Sequence, residues 1–243
     1  MYLFKLDAID STNSYLRQLS GNRDFGQWTV VSADYQTAGR GQKGANWFSE
    51  KGKNLICSIL IKFDSMDAED QFMINCAVSV GIFNYLKGYN LPKLSVKWPN
   101  DIMSVSRKLG GILIENNITS GKISQSIIGI GININQEQFP ADIPMAVSIK
   151  QLTQTETPRD IFLQELLNSV QDKFKLVFEK RYEELWEQYE ACLYRKNKAH
   201  MFENSSGEQF MGIIKGVSRQ GVLLIERENG AVDRYHFKEI SYL

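Results

Sequence analysis

The stretch YQTAGRGQKGANW, residues 35–47, indicates a sheet that carries a ligand-binding loop. Its three glycines leave backbone N–H groups free to face a ligand, and Arg40 and Lys43 add positive charge. The β-branched residues at 28–33 predict a strand that leads into this loop, and residues 54–63, which are almost continuously apolar, predict a buried strand after it. We therefore expect an anion-binding loop between two strands, with a mobile basic surface loop as the alternative.

The rest of the chain alternates between predicted helices and strands. Apolar residues at helical spacing predict helices at residues 14–20, 67–87 and 158–189, the last as one helix or two. Patterns typical of strands occur at residues 94–98, 108–115, 124–135, 208–214, 221–226 and 232–237. The last three strands are short and closely spaced, which is typical of a small barrel. We expect a main domain over residues 1–193 and a small C-terminal domain over residues 194–243.

The composition argues against several classes of protein. The 28 lysine and arginine residues balance the 28 aspartate and glutamate residues, so no overall charge attracts nucleic acid or an anionic membrane. Cys57, Cys76 and Cys192 form no Cys-x-x-Cys pair, which argues against a zinc site, a redox motif or a disulfide framework. The sequence has no leader-like start and no apolar run of about 20 residues. We expect a soluble protein of the reducing cytoplasm that does not bind membranes.

The spacing Gly39-x-Gly41-x-x-Gly44 matches the dinucleotide-binding fingerprint in form only. That fingerprint has to open a helix, whereas residues 45–52 are rich in aromatic and turn-forming residues. A P-loop does not fit either, because Lys43 precedes its glycine and no serine or threonine follows in the required place. The loop therefore belongs to neither motif.

Polar side chains at predicted strand ends supply the remaining candidates for chemistry. They are Arg40, Lys97, Lys108, Asn100, Asn133, Asn135 and Asp101. No Gly-x-Ser-x-Gly elbow occurs, no cysteine stands in a motif, and the only histidines, His200 and His236, lie in or next to the C-terminal segment. These residue types favour phosphate chemistry by positioning and charge stabilisation, with Asp101 as a candidate ligand of Mg²⁺.

Five short motifs, in order along the chain, closely resemble those of the biotin protein ligases. They are STN at residues 11–13, QTAGRG at 36–41, KWPND at 97–101, KLGGILIE at 108–115 and GIGIN at 129–133. Each motif is weak alone, but five in this order are highly specific. The similarity is strong over residues 4–135, and residues 215–224 and 239–241 look like the small C-terminal domain of the family.

The resemblance implies an α+β fold. A mixed β-sheet catalytic domain of the class II aminoacyl-tRNA synthetase and biotin synthetase type would precede a small C-terminal SH3-like β-barrel. The implied reaction has two steps: biotin and ATP form biotinyl-5'-AMP with Mg²⁺ as cofactor, and biotin then passes to a lysine of a biotin carboxyl carrier protein. No enzyme nucleophile is needed, which agrees with the residues present. A homodimer is compatible with the resemblance.

The resemblance also assigns roles to individual residues. Biotin would be bound by Ser11, Thr12, Asn13, Gln36, Gly39, Arg40, Trp47, Lys108, Gly110, Gly111 and Ile112. The nucleotide would be bound by Arg40, Lys43, Lys97, Asn100, Lys108 and Asn133, and Mg²⁺ by Asp101. Arg40 and Lys108 would be catalytic, because they neutralise the like charges of a carboxylate and the α-phosphate that it attacks.

The chain departs from the family pattern in two respects. Gln42 stands where a second arginine is usual, so it adds no charge, and retention of the adenylate is expected to depend more on Lys43 or to differ in strength. The first motif begins by Asp10, which leaves no room for the helix-turn-helix domain of some relatives, so we expect no DNA binding. Residues 39–47 are expected to close over the adenylate and exclude water.

Simpler roles remain open for some of these residues. Ser11 and Thr12 can serve only as a helix cap, and residues 97–99 can serve sheet packing and turn geometry. For the whole chain, the alternatives are a lipoate ligase-like acyl transferase, which shares the fold and the acyl-adenylate chemistry, and a non-catalytic biotin-binding or sensor protein.

Overall fold

Seven strands form a mixed sheet in the N-terminal part of the chain. The computed structural model describes residues 1–22 and 25–243, without the side chains of Asn22 and Lys43. The strands are β1 (Tyr2–Leu6), β2 (Thr29–Ala33), β3 (Leu55–Asp67), β4 (Leu94–Lys97), β5 (Asp101–Ser104), β6 (Arg107–Thr119) and β7 (Lys122–Ile132). Their order is β1-β2-β3-β7-β6-β5-β4, in which β1 and β2 are parallel and the other neighbours antiparallel.

Five helices accompany this sheet: α1 (Thr12–Asn22), α2 (Gln71–Leu86), α3 (Ile149–Thr153), α4 (Arg159–Phe178) and α5 (Tyr182–Ala191). Helix α2 is buried around most of its circumference and crosses α4 closely, since a Cβ on Gly81 would lie 2.7 Å from the Cα of Val170. None of the described helices is both long and apolar enough to span a membrane.

Neighbouring residues of the central strands contribute to two different cores, as the twofold alternation of a strand requires. The larger core, which also contains residues of α2 and α4, includes Val30, Ile59 and Ile128. The smaller core consists of Leu16 of α1 with Val31, Leu60 and Ile127. The sheet therefore carries α2 and α4 on one face and α1 on the other, and the second face is the one that is left partly open.

Five further strands form an antiparallel sheet at the C-terminus. They are β8 (Ala199–Asn204), β9 (Gln209–Val217), β10 (Leu223–Arg227), β11 (Val232–Tyr235) and β12 (Ile240–Tyr242), in the order β11-β10-β9-β8-β12. Two indoles bind it to the first part of the chain: Trp98 Nε1 donates to the carbonyl of Gly221 at 2.9 Å, and Trp186 Nε1 donates to that of Val217 at 2.8 Å.

The predicted α+β architecture, with a mixed sheet followed by a small β-rich segment, is confirmed. Every helix and strand predicted above occurs, with ends shifted by a few residues, and the region from Pro158 to Tyr189 contains two helices, not one. Several short elements were not predicted: β1, β5, β8, β12 and α3. Most of them lie at a sheet edge or complete a sheet whose other strands were predicted.

Candidate active site

A cavity of about 640 Å³ opens on the face of the mixed sheet that carries α1. Its walls come from the start of α1, the loop after β2, the turn between β4 and β5, strands β6 and β7, and the end of the chain around β12. The loop after β2 is called the 36–47 loop below. One end of the cavity is lined by neutral polar side chains and the other by charged ones.

Two glycines of β7 allow side chains to lie directly on the sheet. A Cβ on Gly131 would lie 2.5 Å from the indole of Trp47, and a Cβ on Gly129 would lie 2.5 Å from Oδ1 of Asn13. Real Cβ atoms do not approach other atoms this closely, so any other residue would displace Trp47 or Asn13. The two glycines thus make room for side chains that form the walls of the cavity.

The polar end of the cavity is a hydrogen-bond network. Thr12 donates to Oε1 of Gln36 through its backbone N–H at 2.8 Å and its hydroxyl at 3.0 Å. The buried hydroxyl of Ser58 lies 2.7 Å from Oγ1 of Thr12 and 2.5 Å from Oδ1 of Asn13, and can donate to either. Because Thr12 occupies the oxygen of Gln36, Nε2 is the end of this lining amide that is left to donate.

The 36–47 loop folds back on itself as a small hairpin. Arg40 forms an antiparallel bridge with Asn46, and the N–H of Trp47 donates to the carbonyl of Gly39 at 2.9 Å. The loop is tied to the start of α1 as well, because the N–H groups of Thr37 and Ala38 donate to the carbonyls of Ile9 and Asp10, each at 2.9 Å. This geometry places the Trp47 indole over β7 and leaves Arg40 exposed at the rim.

The charged end is built on an ion pair and a cation–π contact. Lys108 Nζ lies 2.7 Å from Oδ1 of Asp101. Lys97 Nζ lies 4.4 Å from the ring centre of Tyr242. Burial lowers the pKa of Lys97; the Asp101 carboxylate opposes this effect, whereas the positive charges of Lys108 and Arg195 add to it. This end can accept an anion with little rearrangement, because two ammonium groups share one nearby carboxylate.

The structure brings most of the predicted site residues to this cavity. Its lining includes Ser11, Thr12, Asn13, Gln36, Arg40, Trp47, Lys97, Asn100, Asp101, Lys108, Gly111 and Ile112. Asn100 donates through Nδ2 to the carbonyl of Ile112 at 2.7 Å, which fixes the turn between β4 and β5. The lining thus contains residues of all five motifs, but Asn133 of the last motif is not among them.

Some predicted residues lie elsewhere. Gly39 and Gly110 are not part of the cavity lining. Asn133 is buried beside it, where its Nδ2 donates to the carbonyl of Val147 at 3.1 Å. The predicted role of Lys43 in nucleotide binding falls on a side chain that lies outside the described residues.

Sequence reasoning missed several lining or supporting residues, among them Ile56 and Cys57 of β3. The C-terminal residues Phe237, Lys238, Ile240, Ser241 and Tyr242 line the charged end of the cavity. Ser58 supports the polar end. The sequence could have indicated it, since Ser58 is the single hydroxyl residue in the otherwise apolar stretch of residues 55–61. A polar group in such a strand has to find a partner. Nothing comparable marks the C-terminal residues, because β12 reaches the cavity only through the docking of the second sheet.

The donor set for a metal ion is small. Across residues 1–22 and 25–243, no group of three or more His, Cys, Asp or Glu side chains is arranged so that it could hold a metal ion. Among the lining residues that the structure describes, Asp101 is the one carboxylate. Magnesium bound to nucleotides commonly takes one or two carboxylates and completes its shell with phosphate oxygens and water. Asp101 fits that mode of binding, and it does not fit a metal held by protein ligands alone.

Comparison with known proteins identifies relatives along almost the whole chain. The sequence profile of the Biotin/lipoate A/B protein ligase family matches residues 6–133. The bifunctional ligase/repressor BirA of Escherichia coli (strain K12) is 30% identical, and the similarity covers 97% of this chain and 72% of that protein. The biotin--[acetyl-CoA-carboxylase] ligase of Mycobacterium tuberculosis is 23% identical over 91% of this chain and 83% of that protein.

The fold is also similar to that of a solved structure. The biotin protein ligase from Aquifex aeolicus in complex with biotin and ATP superposes with a TM-score of 0.80 at 26% sequence identity. The match covers 100% of this chain and 98% of that chain. Both sheets are therefore part of the shared fold.

Proposed function

The chain belongs to the biotin/lipoate A/B protein ligase family, and we propose that it attaches biotin to a specific lysine of a biotin carboxyl carrier protein through biotinyl-5'-AMP. It is a ligase of the biotin protein ligase type, with biotin and ATP as substrates. The acceptor, the intermediate, a role of Mg²⁺ and a cytoplasmic location belong to the proposal. So does the absence of DNA binding, which the balanced charge of the chain supports.

One observation carries the proposal: the cavity joins a neutral hydrogen-bonding end to a charged end across an apolar wall. Biotin has the same order of parts, a ureido ring, an apolar body and a carboxylate. The ring would meet Ser11, Thr12 and Gln36, and the body would lie along Trp47 and Ile112. A buried ureido group needs such partners, since an unsatisfied polar group costs about 1–3 kcal/mol.

In the first step the biotin carboxylate attacks the α-phosphate of ATP. An oxygen–phosphorus bond forms and pyrophosphate leaves. Both reactants are anions, so the step needs positive charge at the point of approach. Lys108 and Arg40 would supply it, and Lys97 and Asn100 would hold the nucleotide beside them. When bound, Mg²⁺ at Asp101 would neutralise phosphate charge.

In the second step the acceptor lysine attacks the carbonyl carbon of the mixed anhydride. The new amide bond replaces the bond to AMP, and the amine loses a proton. The anhydride has to survive until the carrier arrives. We propose that the 36–47 loop shields it from water, as the position of Trp47 over β7 supports.

Lipoate is the second candidate substrate, because the matching family also includes lipoate ligases. The polar end of the cavity favours biotin over lipoate. Thr12, Gln36 and Ser58 form a network of donors and acceptors there, whereas the dithiolane ring of lipoate offers no amide to bind. A ring without hydrogen-bonding groups would cover this network without making a hydrogen bond to it.

The test is to incubate the protein with Mg-ATP, an isolated carrier domain and either biotin or lipoate, and to measure the mass of the carrier. We expect the carrier to gain the mass of one biotinyl group. A carrier whose acceptor lysine is replaced by arginine should show no gain in mass. Addition of lipoyl instead of biotinyl would replace the proposed substrate. If neither acid is added although biotin binds to the protein, the chain is a binding protein and the proposal fails.

A further inference from the structure

Glu115 lies on the face of β6 that lines the cavity, next to Asn13 at the polar end. Gly111 and Leu113 are lining residues, and side chains two residues apart along a strand point to the same face. Glu115 itself is not part of the lining, and 22% of its side chain is exposed. It is the last residue of the KLGGILIE motif, and nothing derived above gives it a role.

Its carboxylate contacts three parts of the site. Oε2 accepts a hydrogen bond from Nδ2 of Asn13 at 2.8 Å. Oε1 lies 2.5 Å from Nη2 of Arg17 on α1, and Oε2 lies 3.6 Å from Nη2 of Arg40 in the 36–47 loop. One carboxylate therefore links the polar end of the cavity, the helix beside it and the arginine at the rim.

We propose that Glu115 is a positioning residue that orients Asn13 and holds Arg40 at the rim until an anionic ligand takes its place. The proposal rests on the proposed function, in which Arg40 serves the carboxylate and the α-phosphate. The ligand would be a carboxylate or phosphate with more negative charge close to Arg40 than the shared carboxylate of Glu115 supplies.

The orientation of Asn13 follows from the chemistry of its neighbours. An ionised carboxylate only accepts hydrogen bonds, so Asn13 turns its amide nitrogen toward Glu115 and its Oδ1 toward Ser58. Gly129 packs closely against the other side of Asn13, because a methyl group at position 129 would lie 2.5 Å from Oδ1 of Asn13. Without an acceptor at position 115, the amide group of Asn13 would lose the contact that distinguishes its two ends.

The interaction between Arg40 and Glu115 is weak. Arg17 is the close partner of Glu115, Arg40 is the distant one, and the side chain of Arg40 is 40% exposed. Partly exposed pairs at such distances are screened by water and contribute little free energy. When Arg40 leaves, Glu115 keeps Arg17, so no unpaired carboxylate remains. Arg17 thus sets how firmly Glu115 holds Arg40.

Two substitutions should therefore move the loop in opposite directions. Glu115→Gln removes the charge and keeps an acceptor for Asn13. Arg17→Ala leaves the whole charge of Glu115 to Arg40. In ligand-free protein, amide hydrogen exchange of residues 39–47 should become about two- to fivefold faster in Glu115→Gln and about twofold slower in Arg17→Ala. Asp160→Asn is the matched control, since it removes an exposed carboxylate that pairs with Lys5.

Kinetics separate the two roles of Glu115. Glu115→Gln should leave KM for biotin within about twofold of wild type, because the glutamine oxygen still accepts from Asn13. Glu115→Ala removes that acceptor and should raise KM for biotin about tenfold with a smaller change in kcat. Rescue of KM by glutamine, but not by alanine, is not expected of a residue that only supports the fold.

Exchange in α1 supplies the contrary outcome. If Glu115 merely anchors α1, then Glu115→Gln, Glu115→Ala and Arg17→Ala will all make amide exchange in α1 faster. Exchange of residues 39–47 will then stay as in wild type. That result, or a shift of the loop in the same direction in Glu115→Gln and Arg17→Ala, would overturn the proposal. The exchange measurement needs no turnover, so it decides this inference even if the wild type fails to attach biotin, which would contradict the proposed function instead.

Discussion

Lys108 and Asp101 form an ion pair of 2.7 Å at the charged end of the cavity. The two residues lie on paired strands, β5 and β6, where Asp101 stands opposite Gly111 and Lys108 opposite Met103. In the proposed reaction Lys108 serves an anion and Asp101 serves a cation, so the ligand-free site neutralises each of them with the other. Binding of Mg-ATP would exchange one ion pair for two interactions with the ligand.

Replacing Lys108 by alanine should slow formation of the adenylate about 100- to 1000-fold, because it removes positive charge from the point where two anions approach. The rate is measured as release of pyrophosphate in the absence of carrier. Lys108→Arg keeps the charge with a different shape and should retain more activity than alanine. A rate in Lys108→Ala within about twofold of wild type would remove Lys108 from the mechanism.

Gly131 should tolerate alanine poorly, because its Cβ would lie 2.5 Å from the Trp47 indole. Overpacking of this kind costs about 1–3 kcal/mol, which corresponds to a fall in Tm of about 2–12 °C for a chain of this size. Gly111→Ala is the matched control on the neighbouring strand, where the new methyl group would make ordinary contacts of 3.4 Å. Equal thermal shifts in the two variants would contradict the placement of Trp47.

Glu190 should matter for the docking of the C-terminal sheet. It is 5% exposed, accepts a hydrogen bond from the N–H of Val217 at 2.5 Å and pairs with Lys196 at 2.5 Å. Glu190→Gln keeps the acceptor and loses the charge, so the free energy of unfolding should fall by about 1–2 kcal/mol. Glu187→Gln on the same helix is the surface control. Unchanged stability in Glu190→Gln would show that the pair with Lys196 contributes nothing.

Lys97 should make stability depend on pH in the alkaline range. Its folded pKa is lowered by burial, so the unfolded chain binds the proton more tightly between that pKa and the ordinary value of 10.5. Stability attributable to Lys97 therefore rises with pH across this window, by at most about 1.4 kcal/mol per pH unit. The free energy of unfolding of wild type minus that of Lys97→Met, measured in urea from about pH 8 upward, should increase. A constant or falling difference would contradict the direction of the shift.

The fold could be predicted from the sequence where each element carries its own pattern. Strand β3 is almost continuously apolar, and β6 and β7 are joined by a short turn, so their pairing follows from the chain alone. Strands β1 and β12 are different, because each is short and lies at the edge of a sheet. Their conformation depends on the neighbouring strand, which a local pattern does not contain.

The site could be predicted only as far as its motifs extend. The motifs identified residues at both ends of the cavity. They did not identify the protein groups with which these residues form hydrogen bonds and ion pairs when no ligand is bound. Asp101 engages Lys108, and Asn133 turns its amide to the carbonyl of Val147. Tyr242 reaches Lys97 from the other sheet, nearly 150 residues further along the chain. Contacts of this kind depend on the packed structure and leave no trace in spacing.

In the proposed reaction, one cavity makes biotinyl-5'-AMP and then delivers biotin to a carrier lysine. The most direct measurement incubates the protein with biotin and Mg-ATP labelled at the α-phosphate, removes free nucleotide, and then adds the carrier domain alone. We predict that labelled biotinyl-5'-AMP stays with the protein, and that adding the carrier releases labelled AMP as biotin appears on the carrier lysine in equal amount. If biotin attachment requires fresh ATP after the carrier is added, the proposed two-step reaction in this cavity is wrong.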